Sequence, residues 1–360
     1  MLHFPDLLDL RNNFMKLGLF LGYSGADFHI DIDSIRAAEK IGFSSVWVSE
    51  AYGSDAVSPA AWILAKTSKI NVGTAILQIP ARTPACTAMT AMTLQVLSKN
   101  RFILGLGPSG PQVIEGWHGE SYDRPLARTR ECVEIIRKIF ARENPVQHEG
   151  YHYQLPYKGS DSTGLGKPLQ SILHPIDQIK IFTAAVAPKG IKLGAEIADG
   201  MFPIFMIPER FDIFNDNLND GFSKAKDLKS LTDFEVCPIV PVSIGNDIER
   251  CRKPIKSMLA LYIGGMGAPG KNFYNDYAKL LGYGEAATNI QKLYLTGQVS
   301  KAEELVPDQL VDLISLVGSR EQVMERLSVW KTAAKEKKVS SLLLSGVLPK
   351  DMEFIAENAL

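Results

Sequence analysis

Cysteine is scarce in this chain of 360 residues, with four in all. Cys86, Cys132, Cys237 and Cys251 are scattered, no pair has metal-ligand spacing, and four thiols in this length make no disulfide scaffold. Charge of one sign is missing too. Lys and Arg number 39 against 40 Asp and Glu, a formal net charge of -1. That balance gives no electrostatic footprint for nucleic acid or an anionic membrane, and the basic run 335–338 reads as a solvated helix end. No run of apolar residues is long enough to span a bilayer. Residues 1–14 carry Asp6 and Asp9 and lack the apolar core of a cleaved leader, so they read as an extension and the cytoplasm is the expected compartment.

What is present is alternation. Apolar runs at 16–22, 45–49, 70–78, 101–106, 178–186, 201–205, 234–244 and 339–345 read as strands. Helical patterns lie between most of them, at 31–41, 59–67, 84–97, 126–141, 190–198, 209–222 and 321–337. Thr83-Pro84 is an N-cap followed by proline at the first helical position, and Ser319 caps the last of these helices. Two stretches break the rhythm: 144–178, read as a hairpin and long loop, and 247–316, mostly helical. A short helix at 351–360 closes the chain. Near-continuous apolar strands alternating with helices imply a parallel sheet, and their number favours a closed (β/α)8 TIM barrel over a doubly wound open sheet. The whole of 15–350 is then one α/β domain with insertions, its chemistry at the C-terminal strand ends.

That rule selects particular residues. Strand 101–106 runs into Gly105-Leu-Gly107-Pro108-Ser109-Gly110, which matches G-x-G-x-x-G by letters. Pro108 removes an N–H that a dinucleotide turn needs, and no second strand with a terminal acid follows, so the loop is either a tight turn or a cradle of another kind. Glu50 ends the second strand, where a carboxylate either meets a cofactor or caps a loop. Gly73 to Gln78 places small residues mid-strand, suiting barrel packing or close approach of a flat ring. The turn Ala185-Val186-Ala187-Pro188-Lys189-Gly190 opens a helix with an adjacent positive charge, a phosphate site or an ordinary turn. His118 is either a proton carrier or a structural histidine. His148-Glu149-Gly150-Tyr151-His152 spells H-E-x-x-H, but Gly150 among tyrosines implies a hairpin, where two imidazoles do not share a helix face; no metal site is expected. Ser24, Ser54 and Ser109 lack the G-x-S-x-G context of a hydrolase.

Together these pieces resemble the luciferase-like monooxygenase superfamily, in its branch that uses the deazaflavin coenzyme F420. The matching segments are 48–56 (VSEAYGSDA), 72–76 (VGTAI), 101–107 (RFILGLG), 110–117 (GPQVIEGW), 125–130 (PLARTR), 149–154 (EGYHYQ), 195–200 (AEIADG) and 317–320 (VGSR). The resemblance implies an eight-stranded barrel, usually a homodimer, with the cofactor ring in the barrel mouth. It places a non-prolyl cis peptide at Ala75-Ile76 behind that ring. It assigns the cofactor phosphate to Gly107, Ser109, Gly110 and Gln112 and to the turn Ala185–Gly190, and brings Glu50 to the ring. The sugar-phosphate dehydrogenases of this branch carry a histidine beside that acid and a glutamate after the fourth strand. Here those places hold Ala51 and Ser109-Gly110-Pro111. The expectation is therefore hydride transfer between F420 and another small organic substrate, with Glu50 and His118 as catalytic residues. An FMN-dependent monooxygenase with a separate reductase, and a non-catalytic ligand-binding barrel, are the alternatives.

Overall fold

The computed structural model describes residues 15–175 and 177–360, so the extension expected at 1–14 lies outside the described residues. The strands are β1 (Lys16–Phe20), β2 (Ser45–Val48), β3 (Asn71–Thr74), β4 (Leu77–Gln78), β5 (Phe102–Gly107), β6 (His148–Glu149), β7 (Gln154–Leu155), β8 (Ile181–Ala184), β9 (Gly200–Phe202), β10 (Glu235–Val236), β11 (Ile239–Ile244), β12 (Leu316–Gly318) and β13 (Ser341–Ser345). All but β6 and β7 join a parallel sheet ordered β10-β9-β8-β5-β3-β2-β1-β13-β11-β12, with β4 paired to β5. Parallel pairing demands crossovers, and helices supply them; both faces of the strands are covered, which is why the strands read as unbroken apolar runs.

One expected strand, 234–244, appears as β10 and β11. Pro238 lacks a ladder donor and interrupts it. Around the gap Cys237 N donates to Met201 O at 2.9 Å and Ile239 N to Pro203 O at 3.1 Å, while β11 pairs with β13. This stretch therefore meets both margins of the sheet. The expected strand 70–78 also appears in two pieces, β3 and β4, separated by Ala75-Ile76, whose peptide bond is cis. Where the ladder lapses, the Thr74 hydroxyl substitutes for it. Its Oγ1 donates to Gly105 O at 2.8 Å and accepts from Gly105 N at 2.9 Å.

The helices follow their caps. Asp31 Oδ1 accepts from Ser34 N at 3.0 Å before helix Ile32–Ile41, and Thr83 Oγ1 accepts from Cys86 N at 3.2 Å before helix Pro84–Leu97. Ser319 and Gln322 form a reciprocal capping box at helix Arg320–Lys335. Several boundaries differ from expectation by a residue or more. The helix placed at 190–198 begins earlier, Pro188–Ile197, because proline's fixed φ suits the first helical position. The pattern at 209–222 splits into a 3-10 turn, Pro208–Arg210, and helix Asp212–Phe222. The terminal helix is Pro349–Ala359. The insertion at 247–316 is helical as expected, and ends in β12. The segment 144–178 contains the antiparallel hairpin β6/β7.

Inside the sheet, Trp47 packs edge-on to Phe202 at 4.9 Å between centroids and tilts against Phe182 at 5.5 Å. Its indole N–H donates to Ser45 Oγ at 2.9 Å, so the buried polar atom is satisfied. Glycines make this packing possible. A Cβ on Gly73 would stand 2.2 Å from the Trp47 ring. A Cβ on Gly105 would stand 1.7 Å from the Thr74 carbonyl oxygen, which is backbone and cannot swing aside. Gly105→Ala is expected to lower stability by about 1–3 kcal/mol or more, as overpacking does; a urea unfolding midpoint measures it, and an unchanged midpoint contradicts the packing described.

Candidate functional site

The C-terminal ends of β2, β4, β5 and β8 lie side by side, and most of the expected site residues gather there. Glu50 follows β2 and is 7% exposed. Its Oε1 accepts from Arg82 Nη1 at 2.6 Å and from Gln78 N at 3.2 Å; its Oε2 accepts from Arg82 Nη2 at 2.8 Å and from Ala56 N at 3.2 Å. The fork-to-fork pair with Arg82 is the bidentate geometry that guanidinium favours. Burial alone would favour losing the Arg82 proton, but the hydrogen bonds and charge of Glu50 hold its pKa above the ordinary value.

Ala75 and Ile76 form a bulge between the tips of β2 and β5. Ala75 N donates to Val48 O at 2.7 Å, and the Ala75 carbonyl accepts from Ser49 Oγ at 3.1 Å. Gly107 lies against Ile76, for a Cβ there would meet Ile76 Cγ1 at 2.9 Å and Ala184 Cβ at 3.4 Å. Beyond it, Ser109 adopts φ 60°, a left-handed conformation uncommon for a serine, with its carbonyl accepting from Tyr122 OH at 2.7 Å. Gly110 is the N-cap of a short helix, Pro111–Gly116, which the strand-end reading treated only as loop. Gln112 is exposed, with Oε1 3.3 Å from where a Gly110 Cβ would sit.

Because β5 and β8 are neighbours, the second expected loop lies beside this one. Ala185 is buried, Val186 and Ala187 are half-buried, and Pro188 and Lys189 are exposed. Ala187 is the N-cap of helix Pro188–Ile197 and gives no side-chain cap, leaving the first turn to other acceptors. Gly190 N turns inward to Ala187 O at 2.9 Å. His118 stands just past the short helix, half-buried, with Nε2 2.7 Å from Gln78 Oε1; Gln78 Nε2 donates to Ser109 Oγ at 3.0 Å. Glu50, Gln78, Ser109 and His118 are thus one hydrogen-bonded chain.

Sequence reasoning missed Arg82, the bridging role of the Gln78 side chain, Tyr122, and an aromatic wall. In that wall Tyr262 and Tyr274, both from the 247–316 insertion, pack edge to face at 4.8 Å and lie 5.5 and 6.2 Å from Phe205. Burial, then the neighbouring Tyr23, pushes both phenols above their ordinary pKa. One sequence signal pointed to Arg82: a basic residue four places past the tip of the third strand, level with the acid ending the second. The tyrosines gave none, because Phe205, the residue they both cover, is more than 50 residues away in sequence.

The H-E-x-x-H letters fall on the hairpin β6/β7 rather than a helix. There Glu131, from helix Pro125–Ala141, accepts from the backbone N–H groups of Tyr151, His152 and Tyr153 at 3.0 Å each, and lies 3.4 Å from His148 Nε2. It pins the hairpin to the outer helix layer. A groove of about 460 Å³ lies between helices Asp212–Phe222 and Arg320–Lys335 and contains none of the expected site residues. The polar groups that converge at the strand ends lie apart from that groove.

Comparison with known proteins agrees with this geometry. The luciferase-like monooxygenase family model matches residues 15–335, and the chain belongs to that family. A protein of Mycobacterium tuberculosis that carries the provisional name coenzyme F420-dependent oxidoreductase Rv3520c is 45% identical over 323 residues, 89% of this chain and 92% of its own. The 5,10-methylenetetrahydromethanopterin reductase of Archaeoglobus fulgidus is 27% identical over 301 residues, 82% of this chain and 83% of its own. In fold, the coenzyme F420-dependent tetrahydromethanopterin reductase of Methanopyrus kandleri superposes with a TM-score of 0.72 at 21% identity, covering 96% of this chain and 98% of that one.

The hairpin anchor generates a pH prediction. Burial opposes ionisation of Glu131, but the three backbone N–H groups and His148 outweigh it and hold its pKa below the ordinary 4.5. A carboxyl lowered on folding stabilises above its unfolded pKa and loses that contribution as pH falls through the folded value. Glu131→Gln is expected to cost about 1.5–3 kcal/mol at pH 7, with the difference from the parent shrinking below pH 4.5. Urea midpoints at pH 7 and pH 4 measure it; a difference that does not shrink contradicts the assignment.

Proposed function

We propose that this chain is an oxidoreductase that moves a hydride between coenzyme F420 and a small organic substrate. The observation that carries the reading is the bulge at Ala75-Ile76, backed by Gly107 and bordered by two adjacent loops with open helix starts. The names of the relatives support the deazaflavin over FMN. The architecture in this reading is a closed (β/α)8 barrel, which the Ile204–Ile239 bridge and the two-sided pairing of β10 and β11 support.

The residues present fit such a cofactor. Ala75 and Ile76 would back the flat ring, where glycine at 107 leaves room for the bulge. Gly107, Ser109, Gly110, Gln112 and the turn from Ala185 through Val186, Ala187, Pro188 and Lys189 to Gly190 would hold the phosphate-bearing tail, using the backbone N–H groups left open at the two helix starts and one exposed ammonium, with the Gly190 N–H kept on Ala187 O. When bound, the deazaflavin supplies the carbon that accepts or gives the hydride. Glu50 provides a fixed negative charge beside the bulge, His118 exchanges a proton with the substrate, and Tyr262, Tyr274 and Phe205 wall the mouth against water. Ala51 and Ser109-Gly110-Pro111 argue for a substrate other than a sugar phosphate.

We read the protein as a cytoplasmic homodimer. Its four cysteines are unpaired thiols, as a reducing compartment keeps them, and burial pushes the Cys132 thiol up to about 12. Helices Val57–Lys66 and Pro84–Leu97, successive crossovers of the sheet, expose Trp62, Met89 and Leu97, and a second copy is the occupant that the family resemblance implies. Trp62→Glu combined with Met89→Glu is expected to convert a dimer to monomer in sedimentation; a parent that already sediments as a monomer refutes the dimer.

Fluorescence titration tests the cofactor. Coenzyme F420 is expected to bind below millimolar concentration and more tightly than FMN, and failure to do so rejects the reading. Lys189→Ala is expected to weaken F420 binding by about 1 kcal/mol, roughly fivefold in Kd, an effect that shrinks with added salt.

A further inference from the structure

We propose that Arg82 and Gln78 are positioning residues of this site, and that Glu50 is their anchor and exchanges no proton. The inference rests on the reading above for what His118 and Ser109 face, and on geometry alone for which group holds which. Each oxygen of Glu50 accepts two donors, one from Arg82 and one from a backbone N–H. A carboxylate oxygen has two lone-pair sites, so none remains for a ring or a substrate. Arg82 keeps its proton throughout the physiological range, so the pair offers Glu50 no proton to take.

Gln78 is 2% exposed, and its backbone N–H and both polar side-chain atoms are engaged. Its backbone N–H goes to Glu50 at 3.2 Å, its Oε1 faces His118 Nε2 at 2.7 Å, and its Nε2 donates to Ser109 Oγ at 3.0 Å. With Oε1 as the acceptor, the His118 proton sits on Nε2, and Nδ1 keeps a lone pair. The Ser109 hydroxyl, already an acceptor, keeps its own hydrogen to donate. Arg82 therefore locks Glu50, Glu50 locks the Gln78 peptide, and the Gln78 amide aims an imidazole and a hydroxyl from the far side of β5. The mobile proton of this arm belongs to His118.

The test uses the full chain with ¹⁵N-labelled histidine and no added cofactor, the His118 signal being assigned by its loss in His118→Asn. In the parent the His118 Nε2–H proton is expected to be visible in water and to exchange at least tenfold more slowly than in Gln78→Leu. Gln78→Glu keeps an acceptor and is expected to keep the slow proton, and Arg82→Lys is expected to retain more of the protection than Arg82→Met. Parent-like exchange in a folded Gln78→Leu overturns the positioning role; so does loss of the signal in Gln78→Glu, which decides the matter where Gln78→Leu does not fold. For the anchor, infrared difference spectra are recorded as coenzyme F420 is added to parent and to Glu50→Gln. A protonated-carboxyl band seen in the parent and missing in Glu50→Gln overturns it. If F420 does not bind the parent at all, the cofactor reading fails while the exchange measurements still decide the positioning.

Discussion

A carboxylate removed from water has to be matched charge for charge and lone pair for lone pair, and at the tip of β2 this condition governs the geometry around it. Desolvating each ion of the Glu50–Arg82 pair costs several kcal/mol, so the arrangement persists only where every acceptor site is filled. Filling them ties three separate segments together. Arg82 precedes the cap of helix Pro84–Leu97, Gln78 ends β4, and Ala56 is the N-cap of helix Val57–Lys66, which has no side-chain cap of its own. Glu50 takes the N–H of Ala56 itself, the first-turn N–H of Ser58 going to Asp55 Oδ1, and its charge lies at the positive end of the helix dipole. One side chain thus fixes a strand end, a helix start and the departure of the chain from the bulge.

The bulge in turn needs room, and glycine supplies it. Trp47 fills the interior beside Gly73, and β5 approaches β3 closely enough that Gly105 admits no Cβ beside the Thr74 carbonyl. The Thr74 hydroxyl then bonds both backbone groups of Gly105, so the break in the ladder leaves neither orphaned. Close packing of an aromatic ring and interruption of a strand are consequences of the same small residues. Of the two uses the sequence offered for 73–78, the folded chain displays the packing, with Gly73 against Trp47.

Much of the framework was legible because its signals are local. Buried parallel strands announce themselves as apolar runs, and Asp31, Thr83 and Ser319 mark helix starts by side-chain chemistry that acts within three residues. Glu50 and the two loops lie at strand ends as expected, because strand order alone puts them there, while His118 follows the short helix after β5. What Glu50 touches was not legible. Its partners are set by register between strands and by the bend at 75–76, and Arg82 meets it across 32 residues. The tyrosine wall was hidden for the same reason, since a helical insertion reveals its apolar face but not the loop it covers. Pro238 was visible as a letter, yet its effect on the ladder depends on which neighbours the strand has on each side.

The division between framework and insertion carries a functional consequence. Glu50, Gln78, Ser109 and His118 belong to the repeating strand-and-helix frame, and their contacts run from one strand end to the next. Tyr262 and Tyr274 belong to the insertion, and they reach the frame at Phe205, which is held at φ 53° just beyond β9. A bulky residue in the left-handed region costs on the order of 1–3 kcal/mol and persists only where its surroundings over-determine it. Here the two tyrosine rings do so, because Phe205 is 3% exposed against them. The insertion itself is fixed independently. Asn272 and Asn275, both buried, donate to the carbonyls of Tyr262 and Ile263 and so hold the turn that presents Tyr262. Among the described residues no hydrogen bond joins the insertion to Glu50, Gln78, Ser109 or His118, so under the proposed function a change in the insertion alters the wall first and leaves the groups assigned to proton and cofactor in place.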